Sequence, residues 1–122
     1  MKILVWNCQG LGSLWTVHAL DELIRLHDPA LVFLSETKCK KRKCDNLKER
    51  YNLFGINVDS CGKGGGLMML WRKDISVHSF SSSHIDAGVF NEKGFEGWHF
   101  NEKGFEGFMG TRRQLKGEKH GI

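Results

Sequence analysis

The sequence predicts an α/β fold, because strand, helix and strand signals follow one another within its first forty residues. Residues 3–6 (Ile3, Leu4, Val5, Trp6) form a short β-rich apolar run that Asn7, Gly10 and Gly12 close as a loop. Val17, Leu20, Leu23, Ile24 and Leu26 then recur at three- and four-residue spacing, the period of a helix with one apolar face. Ser13 or Thr16 is placed to cap that helix, and Pro29 to stop it. Leu31-Val32-Phe33-Leu34 is unbroken apolar sequence, the pattern of a strand covered on both faces.

Further along, residues 45–51 read as a short polar helix and 54–58 as a third strand. Residues 62–66, with four glycines and Lys63, read as a turn, and 67–71 as another continuous apolar strand. Two short strands, 75–80 and 85–90, flank a bend at Ser81, Ser82 and Ser83. The segment from Phe90 to Gly97 (FNEKGFEG) then recurs word for word from Phe100 to Gly107. Each Asn-Glu-Lys-Gly is suited to closing a hairpin, which predicts a meander of short strands. Two copies are too few for a solenoid, so an in-frame duplication at 90–107 is the simpler account.

The chain has 122 residues, 40% hydrophobic and 26% charged, enough for one soluble globular domain. No apolar run approaches the ~20 residues that span a bilayer, and the N-terminus is not a secretory signal. The net charge of +4 is mild. Its excess sits in Lys38, Lys40, Lys41, Arg42 and Lys43, and in a tail with Arg112, Arg113 and Lys116. Such clusters suit a phosphate backbone, but also a plain solvated surface. Cys8, Cys39, Cys44 and Cys61 lack zinc-finger spacing and are expected as free thiols. His18, His27, His78, His84, His99 and His120 show no ligand spacing and are expected to be structural or solvated. Trp6, Trp15, Trp71 and Trp98 are expected in the core rather than as a base-stacking platform. The glycines at 62–66 make no Walker motif.

Asn7 and Glu36 are the candidate functional pair. Each follows a predicted parallel strand, and ligand sites in layered α/β sheets form beyond the carboxyl ends of strands. Glu36 is a hard oxygen ligand suited to Mg²⁺, which keeps most of its waters and takes one or two carboxylates. Asn7 can donate an amide hydrogen bond to a phosphate oxygen. A solvated carboxylate and a turn asparagine are the alternative.

Four motifs then point to a family. The opening Lys2 to Gly12 (KILVWNCQGLG) resembles the KILSWNCRGLG of plant LINE endonuclease domains, and Leu31 to Lys38 (LVFLSETK) resembles their IVFLMETK. Gly64 to Trp71 (GGGLMMLW) resembles SGGLALLW, and His84-Ile85-Asp86 matches HID. The resemblance covers most of residues 1–90. It implies the N-terminal part of an endonuclease/exonuclease/phosphatase (DNase-I-like) domain of a non-LTR retrotransposon, a partial four-layer α/β sandwich spanning 1–110. Residues 111–122 are expected to be a disordered basic tail. The implied chemistry is Mg²⁺-dependent hydrolysis of DNA phosphodiesters, with Asn7 as active-site amide and Glu36 as metal ligand, in an intracellular and by resemblance nuclear setting.

The departures bear on activity. Where the family has an active-site tyrosine in GFYG, residues 107–110 place Met109, a thioether that cannot donate a proton. The family's later GDFN and SDH motifs do not occur before Ile122. The expectation is therefore a truncated endonuclease domain, inactive by itself. The alternatives are a non-catalytic nucleic-acid- or protein-binding module, and a remnant without selected function. With half a sandwich, one face of strands 31–34 and 67–71 is expected to lie uncovered, making the chain marginally stable.

Overall fold

The computed structural model describes residues 2–59, 65–72, 75–80, 84–91, 94–101, 104–108 and 118–121. They form a mixed α/β structure of two helices and two sheets. Strand β1 (Lys2–Asn7) leads into helix α1 (Leu14–His27), which returns the chain to β2 (Leu31–Ser35). Helix α2 (Lys41–Tyr51) and strands β3 (Phe54–Val58) and β4 (Leu67–Trp71) follow. A second set comprises β5 (Ser76–Phe80), β6 (His84–Asn91), β7 (Gly94–Asn101) and β8 (Gly104–Phe108), before β9 (Glu118–Gly121) rejoins the first sheet.

The five-stranded sheet runs β3-β4-β2-β1-β9. Strand β1 lies parallel to β2, from Ile3↔Leu31 to Asn7↔Ser35, so both strands end on the same edge. Its other neighbour, β9, is also parallel, with Lys2 opposite Glu118. Strands β2 and β3 both pair antiparallel with β4. Of the tail expected at 111–122, residues 118–121 are thus a sheet strand, and the others lie outside the described residues.

Ser13 caps α1, its hydroxyl accepting the Trp15 amide at 3.2 Å. The helix ends at Asp28, which is left-handed (φ 45°) and donates to the Ile24 carbonyl, one residue before Pro29. Val17 and Leu20 point inward, whereas Leu26, part of the same apolar spacing, is 69% exposed. Helix α2 begins at Lys41, earlier than the expected residue 45. Its basic first turn is held by Asp45, which pairs with Lys41 and Lys48, and its buried anchor Cys44 lies ahead of the expected start. Arg50 and Tyr51 of α2 both bind Asp21 of α1, tying the helices together.

Both faces of the five-stranded sheet are covered. Leu4, Val32, Leu34, Met68 and Leu70 pack toward the helices with Leu20, Cys44 and Leu47. Ile3, Leu31, Phe33, Leu67 and Met69 pack on the opposite side against Ile85, Ala87, Trp98 and Phe100 of the second sheet. Residues 31–34 and 67–70 are each at most 3% exposed. This corrects the expectation of an uncovered face. The antiparallel meander β5-β6-β7-β8 lies over it and supplies the missing apolar contacts.

That meander is built on the duplicated segment. Asn91 pairs with Gly94 and Asn101 with Gly104, so each copy closes a two-residue hairpin loop. The register shifts between His99 and Phe100, so β8 carries one unpaired residue there. No helix among the described residues is long and apolar enough to cross a membrane.

Candidate functional site

The ends of β1 and β2 bring Asn7 and Glu36 together. The Asn7 amide Nδ2 donates to Glu36 Oε2 at 2.5 Å, across two adjacent parallel strands. Asn7 is exposed at the end of its strand, and Glu36, partly buried, follows β2 directly. Both candidates taken from the sequence therefore stand at one place.

The backbone around them is unusual. Gln9, Glu36 and Lys38 all have φ between 51° and 53°, in the left-handed region. Asp28 and Asn52, the other non-glycine residues of this kind among those described, are helix C-caps. A left-handed conformation costs an L-residue about 1–2 kcal/mol. Such residues persist where neighbours over-determine them, a situation concentrated at functional sites.

Here the neighbours are main-chain hydrogen bonds joining three segments. Gly10 N donates to Glu36 O at 2.8 Å, and Leu11 N to Thr37 O at 2.9 Å. Lys38 N donates to Gly65 O at 2.5 Å, and Thr37 N to Gly66 O at 3.3 Å. Gly65 lies so close that a Cβ there would meet Glu36 Cα at 2.9 Å and Glu36 Cγ at 3.1 Å. Only glycine fits beside the carboxylate-bearing loop. The glycine turn expected at 62–66 is otherwise outside the described residues.

Cys8 lies beside the pair, but buried. Its thiol donates to the Ser35 carbonyl at 3.4 Å, and burial pushes its pKa up to about 11. It is protonated at neutral pH and is not a nucleophile. Cys39 and Cys44 are also free thiols raised by burial. Met109, the residue expected at the tyrosine position, lies outside the described residues, as does Cys61.

Two features escaped the sequence reading. The first is Trp15, expected in the core and found 84% exposed on the first turn of α1 beside Leu14 at 68%. The second is a cluster on the solvent side of the second sheet. A nitrogen of His99, Nδ1, lies 2.5 Å from Asp86 Oδ1; the carboxylate can only accept, so Nδ1 carries the proton. His84 Nε2 stands 3.8 Å from Asp86 Oδ2, and the two imidazoles stack at 5.2 Å. These residues alternate with the inward-facing Ile85, Ala87, Trp98 and Phe100. Among the described residues, no group of three or more His, Cys, Asp or Glu side chains is arranged to hold a metal ion.

No family model matches the chain, and no curated protein matches it.

Proposed function

We propose that the chain is the N-terminal part of a DNase-I-like endonuclease domain of LINE retrotransposon type, a kind of domain that hydrolyses DNA phosphodiesters with Mg²⁺, and that this part is inactive by itself. The observation that carries this reading is the Asn7–Glu36 contact at the carboxyl ends of β1 and β2. The left-handed loops holding it and the close approach of Gly65 support it further.

The donor chemistry fits Mg²⁺ in a limited way. Glu36 offers one hard carboxylate, and such an ion is held by one or two carboxylates, waters and substrate phosphate oxygens. Bound there, Mg²⁺ would polarise the phosphoryl group and stabilise the leaving oxygen. Asn7 has one amide N–H toward Glu36, which fixes its orientation, and a second N–H to donate to a phosphate oxygen. Neither residue activates water in this reading. A general base is a separate requirement, so binding is expected from this site and efficient turnover is not.

The test compares the chain with Glu36→Gln in Mg²⁺-dependent binding of duplex DNA and in plasmid nicking. Mg²⁺ is expected to strengthen binding by the native chain and not by the variant, and any nicking is expected to vanish in the variant. An identical Mg²⁺ response in both proteins rejects the reading. The second reading, a non-catalytic nucleic-acid-binding module, draws on the exposed Lys38, Lys40, Lys41 and Arg42 beside the site. It predicts strongly salt-dependent binding that Mg²⁺ weakens as any added cation does, equally with and without Glu36.

A further inference from the structure

We infer that Trp15, with Leu14 beside it, is a stacking platform for a nucleobase of the polynucleotide whose phosphate meets Asn7 and Glu36. The inference rests on the reading of that site as a phosphodiester site and adds the contact that grips the base.

Exposure is the first argument. Trp15 is 84% exposed and Leu14 68%, whereas Trp98 is fully buried and Trp6 and Trp71 are partly buried. An indole normally covers its large apolar surface, and an adjacent uncovered leucine makes this a patch rather than a stray side chain. Helix α1 makes its buried contacts through Val17 and Leu20, and Trp15 projects from the side of the helix away from both.

Position is the second argument. Leu11 N is bonded to Thr37 O, so the chain leaves the Asn7–Glu36 loops four residues before Trp15. The Ser13 hydroxyl then accepts the Trp15 amide and fixes the first helical turn. The ring therefore stands at the same end of the sheet as the carboxylate and the amide. Gly12 lies between them with open space around it, since a Cβ there would meet nothing within 4 Å.

Charge identifies the occupant. The first turn of α1 carries no acidic residue. Lys38 is exposed, and its stem passes 3.9 Å from the position of a Cβ on Gly10. Lys40, Lys41 and Arg42 follow, also exposed. An exposed aromatic face, together with exposed cations on the loop bonded to the segment before it, suits a strand that offers both a π-face and phosphates. An apolar protein partner would be met by the same lysines, which interface cores exclude. Every base has a π-face, so the platform is expected to tolerate sequence and to favour an unpaired base.

The test titrates the 122-residue chain with a short single-stranded DNA oligonucleotide, following tryptophan fluorescence and the anisotropy of a labelled strand at several salt concentrations. Native protein, Trp15→Ala, Trp15→Phe, Lys38→Ala and Glu36→Gln are compared. Trp15→Ala is expected to weaken binding about tenfold, from the ~1–3 kcal/mol that a base–aromatic stack contributes. Its salt slope is expected to match the native one, and Trp15→Phe to restore most of the affinity. Lys38→Ala is expected to do the opposite, lowering the salt slope by about one. Because Trp15 is exposed, Trp15→Ala is expected to keep the native melting transition, which far-ultraviolet dichroism checks. Native affinity in a folded Trp15→Ala chain overturns the inference, as does loss of self-association in place of loss of DNA binding. Those results leave the Glu36-dependent Mg²⁺ response standing. An Mg²⁺ response that ignores Glu36, with the Trp15 effect intact, removes the endonuclease reading and keeps the platform.

Discussion

The rings of Phe33 and Phe100 stack with centroids 4.9 Å apart and planes 27° from parallel, joining the centre of one sheet to the centre of the other. Both side chains are fully buried. Phe33 comes from the continuous apolar strand β2, and Phe100 opens the second copy of the duplicated segment. The duplication therefore reaches into the core.

Removing that ring is expected to be costly. Phe100→Ala should destabilise the chain by about 3–5 kcal/mol, the range for deleting a buried phenylalanine. Leu26→Ala, at a 69% exposed position, should stay within ~0.5 kcal/mol. Urea unfolding of both variants checks this. With both sheet faces covered, the native chain is expected to unfold in one cooperative step, contrary to the marginal stability expected for half a sandwich. A broad, probe-dependent transition would contradict it.

Gly65→Ala tests the support of the site. The added methyl would sit 2.9 Å from Glu36 Cα, which is main chain and cannot rotate away. The loop must shift, so the variant should lose about 1–3 kcal/mol and the Glu36-dependent response to Mg²⁺. Gly12→Ala, where a Cβ meets nothing, should keep that response. Thermal melts with the DNA-binding assay separate the two.

Acid should loosen the helices. Arg50 holds the Asp21 carboxyl below its ordinary value of 3.8, with the Tyr51 hydroxyl helping and burial opposing. A carboxyl lowered on folding contributes stability above its unfolded pKa, and that contribution is lost as pH falls through the folded value. Asp21→Asn should be less stable than the native chain at neutral pH. The gap should close at pH values well below 3.8. Urea midpoints across that range check it; a gap independent of pH would contradict it.

Alkali should act through the thiols. Burial raises both Cys8 and Cys44 from 9.0 to about 11. The stability linked to keeping them protonated is fully present below pH 9 and is lost as pH rises through about 11. Below that window, iodoacetamide should modify Cys8 and Cys44 only after urea is added. Peptide mass spectrometry reads the result, and equal labelling of folded and unfolded chain would contradict it.

Much of this was legible in the residues. Continuous apolar runs gave β2 and β4, and turn chemistry gave both hairpins, because these signals are local. Asn7 and Glu36 were legible as strand-end residues, and parallel pairing of β1 and β2 brings them together. The His84–Asp86–His99 cluster needed one more step. If Asn91 pairs with Gly94, antiparallel partners sum to 185, and Asp86 must face His99. Trp15 was misjudged because its type favours burial, while the side of a helical turn it occupies is set by Val17 and Leu20. The start of α2 was hidden because its lysines read as coil until Asp45 pairs with two of them. The cover over the first sheet depends on long-range packing that no local pattern encodes.

The two hairpins have a consequence at the level of the gene. Phe90 to Gly97 and Phe100 to Gly107 are offset by ten residues, one turn together with one eight-residue strand, β7. A copying slip of that length keeps the reading frame and changes the width of the sheet by one strand, leaving everything upstream untouched. Because this step also carries Trp98 and Phe100, losing it would remove the lining opposite Phe33. Copy number in the DNA is thus read out as the difference between a filled interior and an empty one.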